Sequence, residues 1–145
     1  VNYSFRAVVS YVDTHGTREV LYTSPSETID NLDDPVQGEV TIIGAPREGI
    51  TLRALSNSLS DEDGIASINI GWEKSKDGRN WVALNSLSGP ILKLDQVLVG
   101  SQVRARVAVV DNFGIETNLY SQATRTIENV NNKPSGRIII RRVGQ

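Results

Sequence analysis

Residues 28–35 read TIDNLDDP, and near the other end of the chain residues 126–134 read TIENVNNKP. Both stretches begin with a β-branched pair, continue through carboxylate and amide side chains, and end on a proline. This pattern predicts the end of one β-strand, a polar joint and the start of a new strand, because β-branched residues favour strands and proline cannot join a central ladder. The two joints therefore predict one complete module between them.

The similarity between the joints extends along the chain at a fixed spacing of 98 positions, without a gap. This period fits one β-sandwich module of about 100 residues and predicts a tandem repeat array. We expect residues 1–34 to be the C-terminal hairpin of a preceding repeat plus a linker, residues 35–132 a complete repeat, and residues 133–145 the first strand of a following repeat. The matched pairs include Arg6 and Arg104, Val9 and Val107, Asp13 and Asp111, Gly16 and Gly114, Tyr22 and Tyr120, Gly38 and Gly136, and Ile42 and Ile140.

Composition excludes several partners. The 145 residues contain 15 Lys and Arg against 17 Asp and Glu, and no cysteine. Nucleic acids and anionic membranes require a basic face, so neither is predicted as a partner. No apolar run approaches the ~20 residues of a membrane span, so no membrane insertion is predicted. The absence of cysteine suits either the cytosol or a bacterial surface.

Alternating apolar and polar residues predict strands throughout the central module. Ile68, Ile70 and Trp72 alternate with less apolar neighbours, which is typical of a strand with one face in a core. Val103 to Val109 repeats this pattern with Arg104 and Arg106 pointing outward. No stretch has a helical stripe with caps. Further strands are predicted at Phe5–Val12, Glu19–Tyr22, Glu27–Ile29, Glu39–Ile43, Ile50–Leu55 and Thr117–Ile127.

Seven or so short strands with turns about every ten residues predict an all-β fold, an immunoglobulin-like antiparallel β-sandwich. Trp72, on the third strand of the module, is expected to be the central core aromatic. No disulfide can link the two sheets, because the chain has no cysteine. Burial of Trp72 and its aliphatic neighbours must therefore stabilise the sandwich.

Three stretches resemble a known family, namely SDEDG at residues 60–64, IGWEKSKDG at residues 70–78 and LKLDQVLVGSQVRA at residues 92–105. They are similar to the tandem immunoglobulin-like repeats of giant bacterial surface adhesins, the RTX-type and biofilm-associated proteins exported by type I secretion. The joints also resemble the cadherin-type calcium linker. The resemblance implies a non-enzymatic repeat on the bacterial cell surface. Its joints to neighbouring repeats would bind Ca²⁺ and stiffen a spacer that projects a distal binding domain for cell adhesion or biofilm formation.

Sandwich topology independently predicts a metal at the first joint. The loops Ser56–Gly64 and Asp111–Gly114 should both return to the end of the module where the linker arrives. Crowded carboxylates repel one another unless they are neutralised, and calcium accepts six to eight oxygens from flexible loops. The candidate ligands are Asp30, Asn31, Asp33, Asp34, Asp61, Asp63 and Asp111.

A simpler explanation stays open for these residues, since Asp and Asn also form ordinary turns by bonding their own backbone. The second joint is a poorer candidate, because Asn131 and Asn132 stand where the first has Asp33 and Asp34. We therefore expect weak metal binding or none at the second joint.

The alternative function is a carbohydrate- or protein-binding β-sandwich module that holds a host or biofilm-matrix ligand through Trp81, Phe113 or Tyr120. An enzyme is not expected, because His15 is the only histidine and no histidine-based triad can form in the module. A further hypothesis concerns self-association. The hairpin Phe5–Ile29 and the segment Arg137–Ile140 would each expose an unpaired strand edge, and they would pair between molecules.

Overall fold

The computed structural model describes residues 1–142 and 144. The chain divides into two compact units, Val1–Asp34 and Pro35–Gln145, here called the hairpin unit and the main unit. The hairpin unit contains β1 (Val8–Val12) and β2 (Arg18–Tyr22), which pair antiparallel. The main unit contains β3 (Thr41–Ile43), β4 (Thr51–Leu55), β5 (Ile65–Ser75), β6 (Val82–Ser88), β7 (Ile91–Lys93), β8 (Gln102–Asp111) and β9 (Glu116–Tyr120), with a single 3₁₀ turn at Gln96–Leu98.

The main unit has two antiparallel sheets, ordered β3-β4-β7 and β6-β5-β8-β9. Leu52 and Leu92 of the smaller sheet belong to the same buried cluster as Trp72 and Val107 of the larger one. The core therefore lies between the sheets, which is consistent with an all-β sandwich. Trp72 is 1% exposed, and its indole N–H donates to the Gly89 carbonyl over 3.0 Å. The predictions of an all-β fold and of a central Trp72 are confirmed.

The alternation predicted from Val103 to Val109, which lie in β8, is confirmed. Val103, Val107 and Val109 are fully buried, whereas Arg106 is exposed and Arg104 is partly exposed. Because β8 pairs with β5 along almost its whole length, it forms the centre of the larger sheet. This position matters for the site described below, because the last residue of β8 is Asp111.

Several predicted strands are shorter in the structure. The clearest case is Thr117–Ile127, where the strand β9 is Glu116–Tyr120. Beyond Tyr120, side-chain hydroxyls replace part of the backbone ladder: Ala105 N–H donates to Ser121 Oγ, and Val103 N–H donates to Thr124 Oγ1. Glu27–Ile29 likewise lies outside any strand, and in the hairpin unit Ala7 N–H donates to Thr23 Oγ1. Hydroxyl acceptors of this kind offer the backbone a local alternative to the sheet.

The hairpins β1–β2 and β8–β9 have the same strand register when 98 is added to each residue number of the first. Val8 pairs with Tyr22 in β1–β2, and Arg106 pairs with Tyr120 in β8–β9. The other four pairs of β1–β2 correspond in the same way to pairs of β8–β9. The guanidinium of Arg6 lies 4.3 Å from the centre of the Tyr22 ring, and that of Arg104 lies 4.2 Å from the centre of the Tyr120 ring.

The segment 133–145, predicted to begin a following repeat, has no strand among its described residues. Val143 and Gln145 lie outside the described residues. Within the described part, Ile138 and Ile140 are each 94% exposed. These two isoleucine side chains thus have almost no contact with the rest of the described chain.

Candidate metal site at the linker end of the main unit

Two acidic turns lie side by side because of the pairing of β5 with β8. The antiparallel register places Ile65, the first residue of β5, opposite Asp111, the last residue of β8. The loop before β5 therefore reaches the turn after β8, and Asn112 N–H donates to the Gly64 carbonyl over 3.2 Å. This contact fixes the distance between the loop that carries Asp63 and the turn that begins at Asp111.

The start of the main unit is attached to the same end. Gln37 and Ser60 form an antiparallel bridge, with N–H···O distances of 2.8 and 3.0 Å. Gly38 follows with a φ of +101°, and a Cβ there would collide with the backbone carbonyl of Ser58. Only glycine fits this close approach without strain. Because Asp33 lies two residues before Pro35, it arrives at this end of the main unit.

The carboxylates of Asp33, Asp63 and Asp111 form a group in which each offers one oxygen within 4.8 Å of the other two. Asp33 is exposed, Asp63 is half-buried and Asp111 is buried. Three like charges at this distance repel one another, and a cation placed among them would be attracted to all three. The group has the residue types and spacing that could hold a metal ion.

The buried carboxylate of Asp111 uses its two oxygens very differently. Its Oδ1 accepts the backbone N–H groups of Phe113 and Ile115, at 2.9 and 2.7 Å. Its Oδ2 is fully buried and has no hydrogen-bond partner among the described residues. Leaving a charged oxygen buried without a partner costs several kcal/mol, so native structures normally pair such a group or place it on a metal.

Of the seven predicted ligands, Asp33, Asp63 and Asp111 come together, and the other four are outside this group. Asp61 instead serves its own loop, where its Oδ1 accepts the backbone N–H of Asp63 over 2.8 Å. That bond shapes the turn that carries Asp63, so Asp61 positions a candidate ligand. Asn31 and Asp34 each have at least one interaction partner, and Asp30 is exposed.

A second acidic turn begins at Asp77, and the sequence predicts only a turn there. Hydrogen bonds within this turn, without a cation, give both oxygens of the carboxylate a partner. Asp77 accepts the backbone N–H groups of Asn80 and Arg79, the side-chain amide of Asn80 and the hydroxyl of Ser75, at 2.6 to 2.9 Å. These hydrogen bonds, chiefly those from the backbone of Asn80 and Arg79, hold the pKa of the Asp77 carboxyl far below its usual range. Both oxygens of this exposed carboxylate have partners within the turn.

Residues of the second joint form hydrogen bonds with other residues of the main unit. Asn129 Oδ1 accepts the side-chain amide of Gln96 over 3.3 Å, and Val130 N–H donates to Glu48 over 2.9 Å. Glu128 pairs through its backbone with Pro46 and Glu48. Among the described residues, the only acidic group with metal-binding spacing is the one at the first joint.

Two of the aromatics considered for ligand binding contact one arginine. The Arg104 guanidinium lies 4.3 Å from the centre of the Trp81 ring and 4.2 Å from that of Tyr120, and it also forms a 2.7 Å ion pair with Glu73. One ring face of each aromatic is therefore covered, as in ordinary cation–π packing. Phe113 is 45% exposed, in the turn that follows Asp111.

A scan against protein-family profiles, a search of curated proteins and a search of solved structures found no match to this chain. No helix in the described part of the chain is long and apolar enough to span a membrane.

Proposed function

We propose that the chain is an extracellular structural repeat of a bacterial adhesin, in which calcium stiffens the joint between successive immunoglobulin-like modules. The function is mechanical and non-enzymatic: a row of such modules on the cell surface projects a distal binding domain for adhesion or biofilm formation. The partners are neighbouring repeats of the same chain. The proposal combines the family resemblance of the sequence with the acidic group at the linker end.

The observation that carries the proposal is the unpartnered Oδ2 of Asp111 beside the carboxylates of Asp33 and Asp63. A turn aspartate needs only its backbone bonds, which Oδ1 of Asp111 already accepts. A second oxygen that is buried next to two further carboxylates has no role in the turn. A divalent cation would neutralise all three carboxylates and give Oδ2 its missing partner.

Calcium fits this arrangement better than magnesium. The three carboxylates come from separate segments, namely the linker, the loop before β5 and the turn after β8. Calcium tolerates variable geometry with six to eight oxygens, whereas magnesium requires a nearly ideal octahedron and retains several waters. Water and backbone carbonyls would supply the remaining calcium ligands.

Stiffening follows from the position of Asp33 in the linker. A cation that holds Asp33 together with Asp63 and Asp111 restricts the linker just before Pro35. The equal hydrogen-bond geometry of the two hairpins supports the idea that both belong to one kind of module. A joint of this kind between equivalent modules would set their relative orientation along an array.

The test is small-angle X-ray scattering on the 145-residue chain, with and without calcium, together with an Asp111→Asn variant. The proposal predicts that calcium narrows the distance distribution of the wild-type chain and leaves that of the variant unchanged. Calcium binding without any change in the scattering curve would contradict the stiffening role. Equal responses of both chains would contradict the assigned site.

The second candidate function is a carbohydrate- or protein-binding module, which the exposed rings of Phe113 and Tyr120 favour. A glycan array probed with the chain separates the two functions. Binding that Phe113→Ala abolishes and calcium does not affect would favour this ligand-binding function over the spacer.

A further inference from the structure

We infer that the outer face of the larger sheet contains a groove that binds an acidic oligosaccharide, with Gly71 in its floor and Arg106 as the residue that binds the sugar carboxylate. The inference goes beyond the proposed function and depends neither on calcium nor on neighbouring repeats. Every residue that lines the groove belongs to β5, β6 or β8 of the main unit. Gly71 lies in the middle of β5, so the groove is away from both joints.

Two adjoining pockets form the groove, and they share Gly71 and Arg106. The first has a volume of about 220 Å³ and is lined by Asn69, Ile70, Gly71, Arg106 and Ala108. The second has a volume of about 210 Å³, and its lining includes Glu73, Ala83, Leu84, Asn85, Leu87 and Ser88. At about 3.3 Å per strand residue, the groove extends about 13 Å along β5. This length suits a short oligosaccharide.

Gly71 is required neither by the backbone conformation nor by packing within the chain. It is not among the glycines with a positive φ, and a Cβ added there would have no neighbour within 4 Å. From the pair Gly71–Ser88 to the pair Glu73–Ala83, the chain advances two residues in β5 and five in β6, so the extra residues of this irregularity lie in β6. Glycine weakens a strand interior and often marks a close approach by a ligand or another backbone. The open space at Gly71 therefore favours a ligand.

Arg106 lies directly opposite Gly71 in the register of β5 and β8. Its Nε donates to Asn118 Oδ1 over 3.0 Å, and the Asn118 amide donates in turn to Glu116 over 3.1 Å. These bonds orient the guanidinium, whose two Nη groups have no hydrogen-bond partner among the described residues. A guanidinium binds a carboxylate through two parallel hydrogen bonds. Arg106 can therefore hold one carboxylate at the side of the groove.

The charges around the groove allow an anionic ligand. The only carboxylate in its lining is that of Glu73, which forms a 2.7 Å ion pair with Arg104. That pairing neutralises the negative charge of Glu73. Arg106, in contrast, has no carboxylate within ion-pair distance among the described residues. A ligand with one carboxylate per binding position thus meets a cation that has no ion-pair partner.

The remaining polar groups of the groove suit sugar hydroxyls. Asn69, Asn85 and Ser88 have no side-chain hydrogen-bond partner among the described residues. Amides and hydroxyls both donate and accept, as sugar hydroxyls do. The apolar floor of the groove matches the C–H face of a sugar ring. An extended peptide would instead require an unpaired strand edge, whereas β5 is paired on both sides.

Isothermal titration calorimetry tests the inference with a hexuronate oligosaccharide and with its carboxyl-reduced form, in which CH₂OH replaces each carboxylate. Both titrations are made in EDTA, so that calcium cannot bridge the sugar to the protein. We expect the reduced form to bind at least about tenfold more weakly, because hydrogen bonds to charged groups are the stronger ones. No binding of the hexuronate, or equal binding of both forms, would overturn the inference. So would equally tight binding of a polyglutamate peptide.

Two variants locate the site. Gly71→Val fills open space on a strand that valine favours, so its urea midpoint should be no lower than that of wild type while hexuronate binding is lost. Arg106→Gln should bind the hexuronate and the reduced form equally. Arg53→Gln is the matched control, because it removes an exposed arginine from the smaller sheet, and it should retain the wild-type preference. Unchanged binding by Gly71→Val, or equal losses in the two arginine variants, would overturn the inference.

Failure of this inference is distinguishable from failure of the proposed function. Hexuronate binding in EDTA supports the inference even if calcium leaves the scattering curve unchanged. Calcium stiffening of a chain that does not bind the hexuronate would leave the proposed function intact and overturn the inference alone.

Discussion

The turns that begin at Asp77 and Asp111 contain the same residue type in different electrostatic situations. Both aspartates accept two backbone N–H groups through Oδ1. The Oδ2 of Asp77 also accepts the Asn80 amide, in an exposed turn. The Oδ2 of Asp111 is buried beside two more carboxylates and has no hydrogen-bond partner among the described residues.

This difference separates two roles of acidic turn residues. A carboxylate whose oxygens are all hydrogen-bonded stabilises its turn, and no cation is needed. A carboxylate with one buried, unpartnered oxygen needs a further positive partner, because a buried charge is costly. The comparison therefore distinguishes Asp111, whose buried oxygen could take a metal ion as its partner, from Asp77, whose oxygens already have partners.

The largest expected effect on calcium affinity is that of Asp111→Asn. Loss of this ligand should weaken binding roughly 100-fold or more, because even partners outside the coordination sphere are worth 10–100-fold. At a calcium concentration about a hundred times the wild-type Kd, the wild-type chain should gain about 2.7 kcal/mol of unfolding free energy, and the variant should gain about 0.4 kcal/mol or less. Calorimetric titration and thermal melting measure the two quantities.

Asp77→Asn is the matched control for that experiment. It also neutralises an acidic turn residue of the main unit, so a general loss of negative charge would weaken calcium binding in both variants. We expect an unchanged calcium affinity in Asp77→Asn. An equal loss in the two variants would mean that the comparison of the turns does not locate the site.

A smaller effect is expected in the linker. Asp33→Asn should weaken calcium binding about tenfold, because it replaces an exposed ligand for which water can partly substitute. Asp30→Asn changes an exposed linker aspartate outside the acidic group and should leave the affinity unchanged. Competition against a fluorescent calcium chelator resolves this difference. A greater loss in Asp30→Asn would place the linker ligand elsewhere.

Gly38→Ala tests whether stability and calcium binding depend on the close approach of Gly38 to the Ser58 backbone. The added Cβ meets the Ser58 backbone at a positive φ, so we expect a loss of roughly 3 kcal/mol in unfolding free energy and weaker calcium binding. Gly49→Ala is the matched control, since Gly49 has a φ of +82° but no neighbour within 4 Å of an added Cβ. It should lose only about 1 kcal/mol, with unchanged calcium affinity. Urea unfolding gives both values.

The smallest effect is the pH dependence of Asp77→Asn. Because folding lowers the pKa of Asp77, its contribution to stability is fully present above the ordinary aspartate pKa of about 3.9 and is lost as the pH falls towards the lowered value. The variant should therefore be less stable than wild type at neutral pH, and the difference should shrink in acid. Urea midpoints across this pH range provide the test. A difference that grows in acid would contradict the assignment.

Much of the fold could be predicted from the sequence. Alternation predicted the buried residues of β8, and the alternation of Ile68, Ile70 and Trp72 with their neighbours predicted the burial of Trp72. The fixed spacing between Asp13 and Asp111 predicted similar turns, and in each turn the aspartate Oδ1 accepts two backbone N–H groups. These features depend on local patterns, which a sequence displays directly.

The composition of the acidic group could be predicted only in part. Topology brought the loop before β5 and the turn after β8 to one end, but it did not separate Asp61, which bonds its own loop, from Asp63, which joins the group. That distinction depends on side-chain direction within one turn. The unpartnered oxygen of Asp111 and the contact of Gly38 with Ser58 depend on three-dimensional packing, so no sequence pattern displays them.

The most direct test of the account is a crystal structure of the 145-residue chain grown in millimolar calcium. The account predicts one calcium ion among Asp33, Asp63 and Asp111, with Oδ2 of Asp111 at about 2.3–2.6 Å from the ion. Well-ordered carboxylates with water or no density between them at that calcium concentration would contradict it.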